Sequence, residues 1–253
     1  MEKHFPVSLT NLLIAVNVII FLLVFSLPEE KMKWVFGTFS FSAAHATEIW
    51  RWLTSLFLHV SASHLFFNML GLYFFGRIVE EEVSPQWFLS IYFISGLVGS
   101  FAFMLTSPDA VVGASGCVFG MIGAAMLLNP MKRIHIYIFP LPLGIVALIF
   151  VIFEAIMVYF KPESLESVVS NVANVAHIGG VITGAIFAFF NNPKKALKGV
   201  GALILCVFLL IFFSPVFSFI ALIGSIVLNV IDSLVGFFLY GAADALSFIW
   251  QTR

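Results

Sequence analysis

The chain has 253 residues, of which 61% are hydrophobic and only 10% are charged, and its formal net charge is -1. A soluble domain of this size cannot bury so much apolar surface, so the composition excludes a soluble globular protein and indicates a helical protein that crosses a membrane several times. The nearly balanced charge argues against nucleic acid as a partner.

Apolar runs separated by polar segments predict seven membrane spans. The first two lie at about residues 8–27 and 53–75 and are joined by residues 28–51. This connection is too long for a hairpin, and its many aromatic residues predict a segment that lies on the bilayer surface. The other spans are predicted at about residues 87–105, 113–128, 141–160, 172–190 and 199–231. After Asp232 the pattern fits either an amphipathic surface helix or an eighth span, and seven spans are favoured.

The distribution of lysine and arginine predicts the orientation in the membrane. With the N-terminus in the cytoplasm, the inner side receives Lys3, Arg77, Lys132, Arg133, Lys194, Lys195 and Lys198, and the outer side receives Lys31, Lys33, Arg51 and Lys161. The starts of the second, fourth and sixth spans then lie on the outer side. The first apolar run lacks a small-x-small cleavage site, so it is expected to remain as an anchor, and a prokaryotic inner membrane is the simplest location.

The fourth span is unusually short and begins with small residues. From about Gly113 to Leu128 it would extend ~24 Å, less than the ~30 Å of the hydrocarbon core. One end must therefore begin inside the bilayer, where irregular backbone is tolerated only if protein buries it or it lines a water-filled cavity. The N–H groups and positive dipole at such a helix start favour an anion, which makes Ser115 a candidate nucleophile. Small-residue packing between membrane helices is the alternative interpretation.

Polar residues also occur near the outer ends of two other spans. His64 and Asn68 are four residues apart and share a helix face, and His177 lies about five residues into the sixth span. Each of these side chains could simply form a hydrogen bond with a neighbouring helix. Polar side chains inside a membrane are energetically costly, however, and three separate spans place them at a similar depth, which favours a functional role. Glycines in the fourth and sixth spans would let His177 reach Ser115, and this pair can perform base-activated nucleophilic attack. Because no acidic residue is positioned as a third member, a dyad is predicted.

These stretches together resemble the rhomboid family of intramembrane serine proteases. The matching motifs are Gly-Ala-Ser-Gly at 113–116, Ala-His-Ile-Gly-Gly at 176–180 with Gly184, His-Leu-Phe-Phe-Asn at 64–68, and Trp-Arg at 50–51. They occur in the family's order and on the matching spans, within about residues 8–192. The resemblance implies an all-α polytopic membrane bundle, with a six-helix core at 1–192. Residues 193–253 would form a linker, a seventh span and a C-terminal amphipathic segment.

The resemblance also implies a role for each motif residue. Ser115 would attack the peptide bond of a single-pass transmembrane substrate, and His177 would take its proton and return it to the leaving amine. The Ser115 N–H, with His64 and Asn68, would stabilise the oxyanion. The Trp-Arg pair would hold the first loop against the bilayer, the loop after the fifth span would cap the cavity, and substrate would enter between the second and fifth spans. No cofactor or metal is implied.

Other protease classes fit less well. The chain has no HExxH motif, and neither His59 nor His64 has a glutamate at zinc-site spacing, which argues against an intramembrane metalloprotease. An aspartyl protease would need two membrane aspartates, whereas Asp232 and Asp244 both lie in the least regular segment. Residue 119 is Phe where the family often has Tyr, and this change would retain stacking beneath the catalytic histidine but lose the hydroxyl's hydrogen bond.

Two non-protease alternatives remain. A rhomboid-like protein that only binds membrane helices would lack the serine or the histidine, whereas Ser115 and His177 are both present. A transporter could use Glu154 in the fifth span as an ion or proton site. No inverted repeat is visible, however, so a structural hydrogen bond is the favoured role for Glu154.

Overall fold

The computed structural model describes residues 8–136, 139–147 and 173–212, which are mostly helical. The predicted fifth span beyond residue 147, Glu154, the loop that follows it and residues 213–253 lie outside the described residues. The helices are α1 Leu9–Phe25, α2 Glu29–Phe39, α3 Ile49–Thr54, α4 Ala62–Gly71, α5 Arg77–Glu82, α6 Pro85–Met104, α7 Ser115–Leu128, α8 Ala173–Asn191 and α9 Pro193–Phe212.

The chain divides into two compact units, Met1–Ile204 and Leu205–Arg253. The first unit contains α1 to α8 and the first half of α9. Of the second unit, the structure describes residues 205–212, which are helical.

Several described helices have the length and composition of membrane spans. Pro85–Met104 and Asn174–Asn191 are each long and apolar enough to cross a bilayer, and Ile49–Phe57 with Ala62–Glu82 forms a third candidate that bends by 90°. The helices α1 and α7 are apolar but shorter, with 17 and 14 residues. The prediction of an all-α polytopic membrane bundle is therefore confirmed, and the chain is an integral membrane protein.

The second span begins later than the sequence suggested. Its continuous helix starts at Ala62 rather than near residue 53, and runs through a π-helical turn at Leu72–Gly76 into α5. The Ser61 side chain caps the new start by accepting a hydrogen bond from the His64 N–H at 3.1 Å. The preceding segment turns away because the buried Ser55 carbonyl accepts a hydrogen bond from Gly113, a long-range contact that hydropathy does not report.

Arg51 organises the first loop from inside. Its side chain is buried and donates to the carbonyls of Gly37 at 2.7 Å and Ser40 at 3.0 Å, and it pairs with Glu48 at 2.8 Å. Trp50, the neighbouring residue, is 51% exposed. The resemblance implied that both residues hold the loop against the bilayer, whereas in the structure Trp50 faces outward and Arg51 satisfies the loop's own carbonyls.

A small β-hairpin follows α7 and was not predicted. The strands β1, Arg133–Ile136, and β2, Phe139–Pro142, are antiparallel, with Arg133 opposite Pro142. Proline cannot donate a backbone hydrogen bond, so it is tolerated only at the edge of a sheet, and both strands of a hairpin are edges.

The helices α7 and α8 pack backbone against backbone. A Cβ atom on Gly180 would overlap the Gly116 carbonyl, and one on Gly184 would overlap the Gly120 carbonyl. In the opposite direction, a Cβ on Gly123 would overlap the Val181 carbonyl. These contacts provide the close approach of the two helices that the glycine pattern predicts.

Three consecutive glutamates at the end of α5 hold neighbouring helix ends together. Glu80 accepts hydrogen bonds at the start of α1 from the Ser8 hydroxyl at 2.7 Å and the Leu9 N–H at 2.5 Å. Glu81 pairs with Lys132, after α7, and Glu82 pairs with Lys195, in the first turn of α9. The two lysines therefore lie on one side of the bundle, as their assignment to one membrane face requires.

Replacing Gly184 by Ala is expected to destabilise the bundle, because the added methyl must push α7 and α8 apart, at a cost of about 1–3 kcal/mol. Gly201→Ala is the matched control, since no atom of the described residues lies within 4 Å of a Cβ at that position. Thermal unfolding in detergent, followed by circular dichroism, should show a lower melting temperature for Gly184→Ala only. Equal melting temperatures for the two variants would contradict the packing argument.

Candidate active site

Ser115 is the first residue of α7 and is partly buried. The turn before it needs Gly113, whose φ of +122° is rarely adopted by residues with a side chain. The first backbone hydrogen bond of the helix runs from the Val118 N–H to the Ala114 carbonyl at 2.9 Å. The N–H of Ser115 therefore has no acceptor within its own helix.

The irregular backbone before Ser115 is held by the segment between α1 and α4. The Gly113 N–H donates to the Ser55 carbonyl at 2.9 Å. Further back, Val111 and Phe41 exchange two backbone hydrogen bonds of 2.7 and 3.2 Å. Protein thus satisfies the polar backbone before Ser115, which is the condition expected for a helix that starts inside a bilayer.

His177 lies on the face of α7 that carries Ser115. Its imidazole stacks on the Phe119 ring, with the ring centroids 4.2 Å apart and the planes inclined by 11°. Phe119 is four residues after Ser115 and therefore lies on the same side of α7, one turn along. The stacking expected with Phe at position 119 is present, and it holds the imidazole flat beside the start of the helix.

His64 and Asn68 face the backbone immediately before Ser115. A Cβ placed on Gly113 would lie 2.7 Å from His64 Cε1, 2.8 Å from His64 Nε2 and 3.8 Å from Asn68 Nδ2. The Asn68 side chain is buried and donates to the His64 carbonyl at 3.0 Å, which fixes its orientation. His64 is also close enough to His177 for an electrostatic interaction between the two rings. The structure therefore brings the four predicted site residues to one end of the bundle.

His59 is a site residue that the sequence analysis did not identify. It is 2% exposed, its ring centroid is 5.0 Å from that of His64, and its Nε2 accepts a hydrogen bond from the Ala114 N–H at 3.4 Å. An accepting Nε2 requires the neutral ring with its hydrogen on Nδ1. In the sequence, His59 is distinguished only by its position five residues before His64. It lies in an irregular segment, so helical spacing could not predict that the two rings are close together.

Comparison with known proteins identifies the same region. A family model described as the Rhomboid domain matches residues 46–194. The chain is 32% identical over 199 residues to rhomboid protease GluP of Bacillus subtilis (strain 168), covering 77% of this chain and 36% of that protein. It is 26% identical over 191 residues to rhomboid protease GlpG of Yersinia pseudotuberculosis serotype I (strain IP32953), covering 76% of this chain and 64% of that protein.

These alignments span less than two thirds of the length of either relative. The family model nevertheless extends over more than half of this chain and includes Ser115, His177, His64 and Asn68. The chain belongs to the rhomboid family.

Proposed function

We propose that this protein is an intramembrane serine endopeptidase that cleaves peptide bonds in or near the transmembrane segments of single-pass membrane proteins. Its relatives carry the name rhomboid protease. The observation that carries the proposal is the position of the His177 ring, which stacks on Phe119 one turn along α7 from Ser115. A serine at a helix start beside a positioned imidazole has the parts for nucleophilic acyl transfer.

Ser115 and His177 would act as a dyad. His177 takes the proton from the Ser115 hydroxyl while Oγ attacks the carbonyl carbon of the scissile bond. The tetrahedral intermediate collapses when the C–N bond breaks, and His177 returns the proton to the leaving amine. Water then attacks the acyl-enzyme while His177 takes its proton, and the C–Oγ bond breaks as His177 gives that proton to Ser115 Oγ, which releases the new carboxyl terminus and regenerates the serine. Phe119 keeps the ring from tilting during both proton transfers.

Three donors would stabilise the oxyanion. The Ser115 N–H points out of the helix start, where the helix dipole also favours negative charge. His64 and Asn68 converge on Gly113, two residues before the nucleophile, and would donate from the side. Preorganised donors of this kind give most of their stabilisation when the negative charge develops, because they need not reorient at that moment.

A membrane-embedded substrate would approach along α4. The helix presents Phe66 and Phe67, two and three residues after His64, to the surroundings, with exposures of 59% and 68%. Large apolar side chains on a membrane helix contact lipid or another transmembrane helix. A single-pass substrate could therefore slide along this surface and reach the site from the side, at the predicted entry next to the second span.

The orientation with the N-terminus in the cytoplasm, in a prokaryotic inner membrane, also belongs to this proposal. Lys132 and Lys195 lie at the end of the bundle that carries the glutamate run, opposite the end with Ser115. The excess of positive residues marks the cytoplasmic side. Cleavage would then occur towards the outer face.

Removing either member of the dyad should abolish catalysis. Purified protein, Ser115→Ala and His177→Ala would be incubated in detergent with a generic single-pass transmembrane substrate, and labelled with a serine-directed fluorophosphonate. Cleavage is expected only for the parent and for the control Ser84→Ala, because the Ser84 side chain makes no helix-capping hydrogen bond. Fluorophosphonate labelling should be absent from Ser115→Ala.

Two outcomes would contradict the dyad. Cleavage that persists in Ser115→Ala would exclude this serine as the nucleophile. A folded parent that neither cleaves the substrate nor labels with fluorophosphonate would favour a helix-binding protein without protease activity.

Asn68→Ala should lower kcat by about 10²-fold with little change in KM, because an oxyanion donor acts mainly in the transition state. The matched control is Asn11→Ala, which removes an amide from α1 that lies 3.5 Å from Arg77. Steady-state cleavage of a fluorogenic transmembrane substrate measures both constants. A loss confined to KM would assign Asn68 to substrate binding instead.

The contribution of Phe119, which stacks on the His177 ring, can be tested separately. Phe119→Leu is expected to lower kcat by roughly three- to tenfold, since an aromatic pair contributes ~0.5–1.5 kcal/mol beyond its buried area. Phe119→Tyr keeps the stacked ring and should retain activity close to that of the parent. Equal activity of the Leu and Tyr variants in the same cleavage assay would show that stacking does not position His177.

A further inference from the structure

An apolar cleft lies between α1, α2 and the end of the first loop. Its volume is about 260 Å³, and its lining consists of Ile20, Val24, Val35, Phe39, Thr54, Phe57 and Leu58. Thr54 adds no polar surface, because its hydroxyl lies 2.9 Å from the Phe39 carbonyl and 3.1 Å from the Trp50 carbonyl. The cleft therefore offers no hydrogen-bonding group to water, and apolar cavities of this kind bind apolar molecules.

The surroundings of the cleft are those of a membrane surface at headgroup level. On α1, Leu22 and Leu23 are 61% and 62% exposed, and therefore contact acyl chains in a bilayer. On α2, Trp34 is 63% exposed, and its ring lies edge-on to Phe39 with 5.9 Å between centroids. Exposed tryptophan is enriched where acyl chains meet headgroups. The molecule available to fill the cleft is thus a membrane lipid.

A lysine lies on the side of α2 that lines the cleft. Lys31 precedes Val35 and Phe39 by four and eight residues, which places the three within about 80° of one another around the helix. Lys31 forms no ion pair with any described residue. Lys33 differs, because it is paired with Glu29 at 2.7 Å and lies about 160° from Val35 around the helix.

From this arrangement we propose that the cleft binds one acyl chain of an anionic phospholipid, whose phosphate contacts the Lys31 ammonium. The apolar walls accept the chain, and the lysine at the helix start of α2 supplies the positive charge that matches the headgroup. The proposal concerns lipid binding only and does not depend on proteolysis.

The bound chain would also contact the segment that supports the candidate active site. Phe57 and Leu58 line the cleft directly before His59, which accepts the Ala114 hydrogen bond. Ser55, two residues before Phe57, holds Gly113. An acyl chain packed against Phe57 and Leu58 restrains this segment and therefore the start of α7.

The test measures lipid retention by native mass spectrometry of the full chain in mild detergent, with phosphatidylglycerol or phosphatidylcholine added. The parent should retain one phosphatidylglycerol per chain and much less phosphatidylcholine. Val35→Trp fills the cleft and should reduce retention at least tenfold, whereas Leu23→Trp, a tryptophan on the lipid-facing surface, should retain the lipid.

Lys31→Gln should weaken phosphatidylglycerol binding roughly fivefold, as expected for one lysine near an anionic headgroup. Lys33→Gln should leave binding unchanged.

Specific results would overturn the proposal. Equal retention by Val35→Trp and Leu23→Trp would exclude the cleft as the acyl site, and equal affinities of Lys31→Gln and Lys33→Gln would exclude the headgroup contact. If Val35→Trp does not fold, the parent would be labelled with a phospholipid that carries a diazirine on its acyl chain. Adducts on Ile20 and Val24 support the proposal, whereas adducts confined to Leu22 and Leu23 contradict it.

Discussion

The direct backbone contact between α7 and α8 is the constraint on which the candidate site depends. In lipid, two apolar helices gain little by burying surface against each other, so van der Waals contact at short range must hold them together. The carbonyls of Gly116 and Gly120 lie where side chains at Gly180 and Gly184 would otherwise be. This contact fixes the separation of the helices, and thereby the height at which His177 meets Phe119.

The second requirement is that protein satisfies the polar groups of the irregular backbone before α7. The segment between α1 and α4 meets this requirement in three ways: the Ser55 carbonyl accepts from Gly113, the His59 imidazole accepts from Ala114, and Phe41 forms a backbone bridge with Val111. Arg51 in turn satisfies carbonyls within the loop itself. The segment between α1 and α4 thus supports the start of α7, where Ser115 lies.

The sequence was sufficient where the information is periodic. Apolar runs predicted α1, α6, α7 and α8, the four-residue spacing placed His64 and Asn68 on one helix face, and the glycine spacing predicted the α7–α8 contact. It was insufficient where a contact joins distant and irregular segments. The late start of the second span follows from the bond between Ser55 and Gly113, and the role of His59 follows from its bond to Ala114. Neither interaction leaves a repeating pattern in the sequence, so neither could be predicted from it.

The number of residues between His64 and the glutamates at 80–82 sets the directions in which the glutamate side chains point relative to His64. Consecutive residues of an α-helix point about 100° apart, so Glu80, Glu81 and Glu82 each reach a different partner. The π-helical turn at Leu72–Gly76 lies between this run and His64, and a π turn accommodates one additional residue. The turn therefore sets a fixed angular offset between the two ends of the helix. Loss of one residue within the turn would return it to regular α-helix and leave the glutamates directed towards the same partners, whereas loss of one residue elsewhere in the helix would rotate them by about 100° relative to His64.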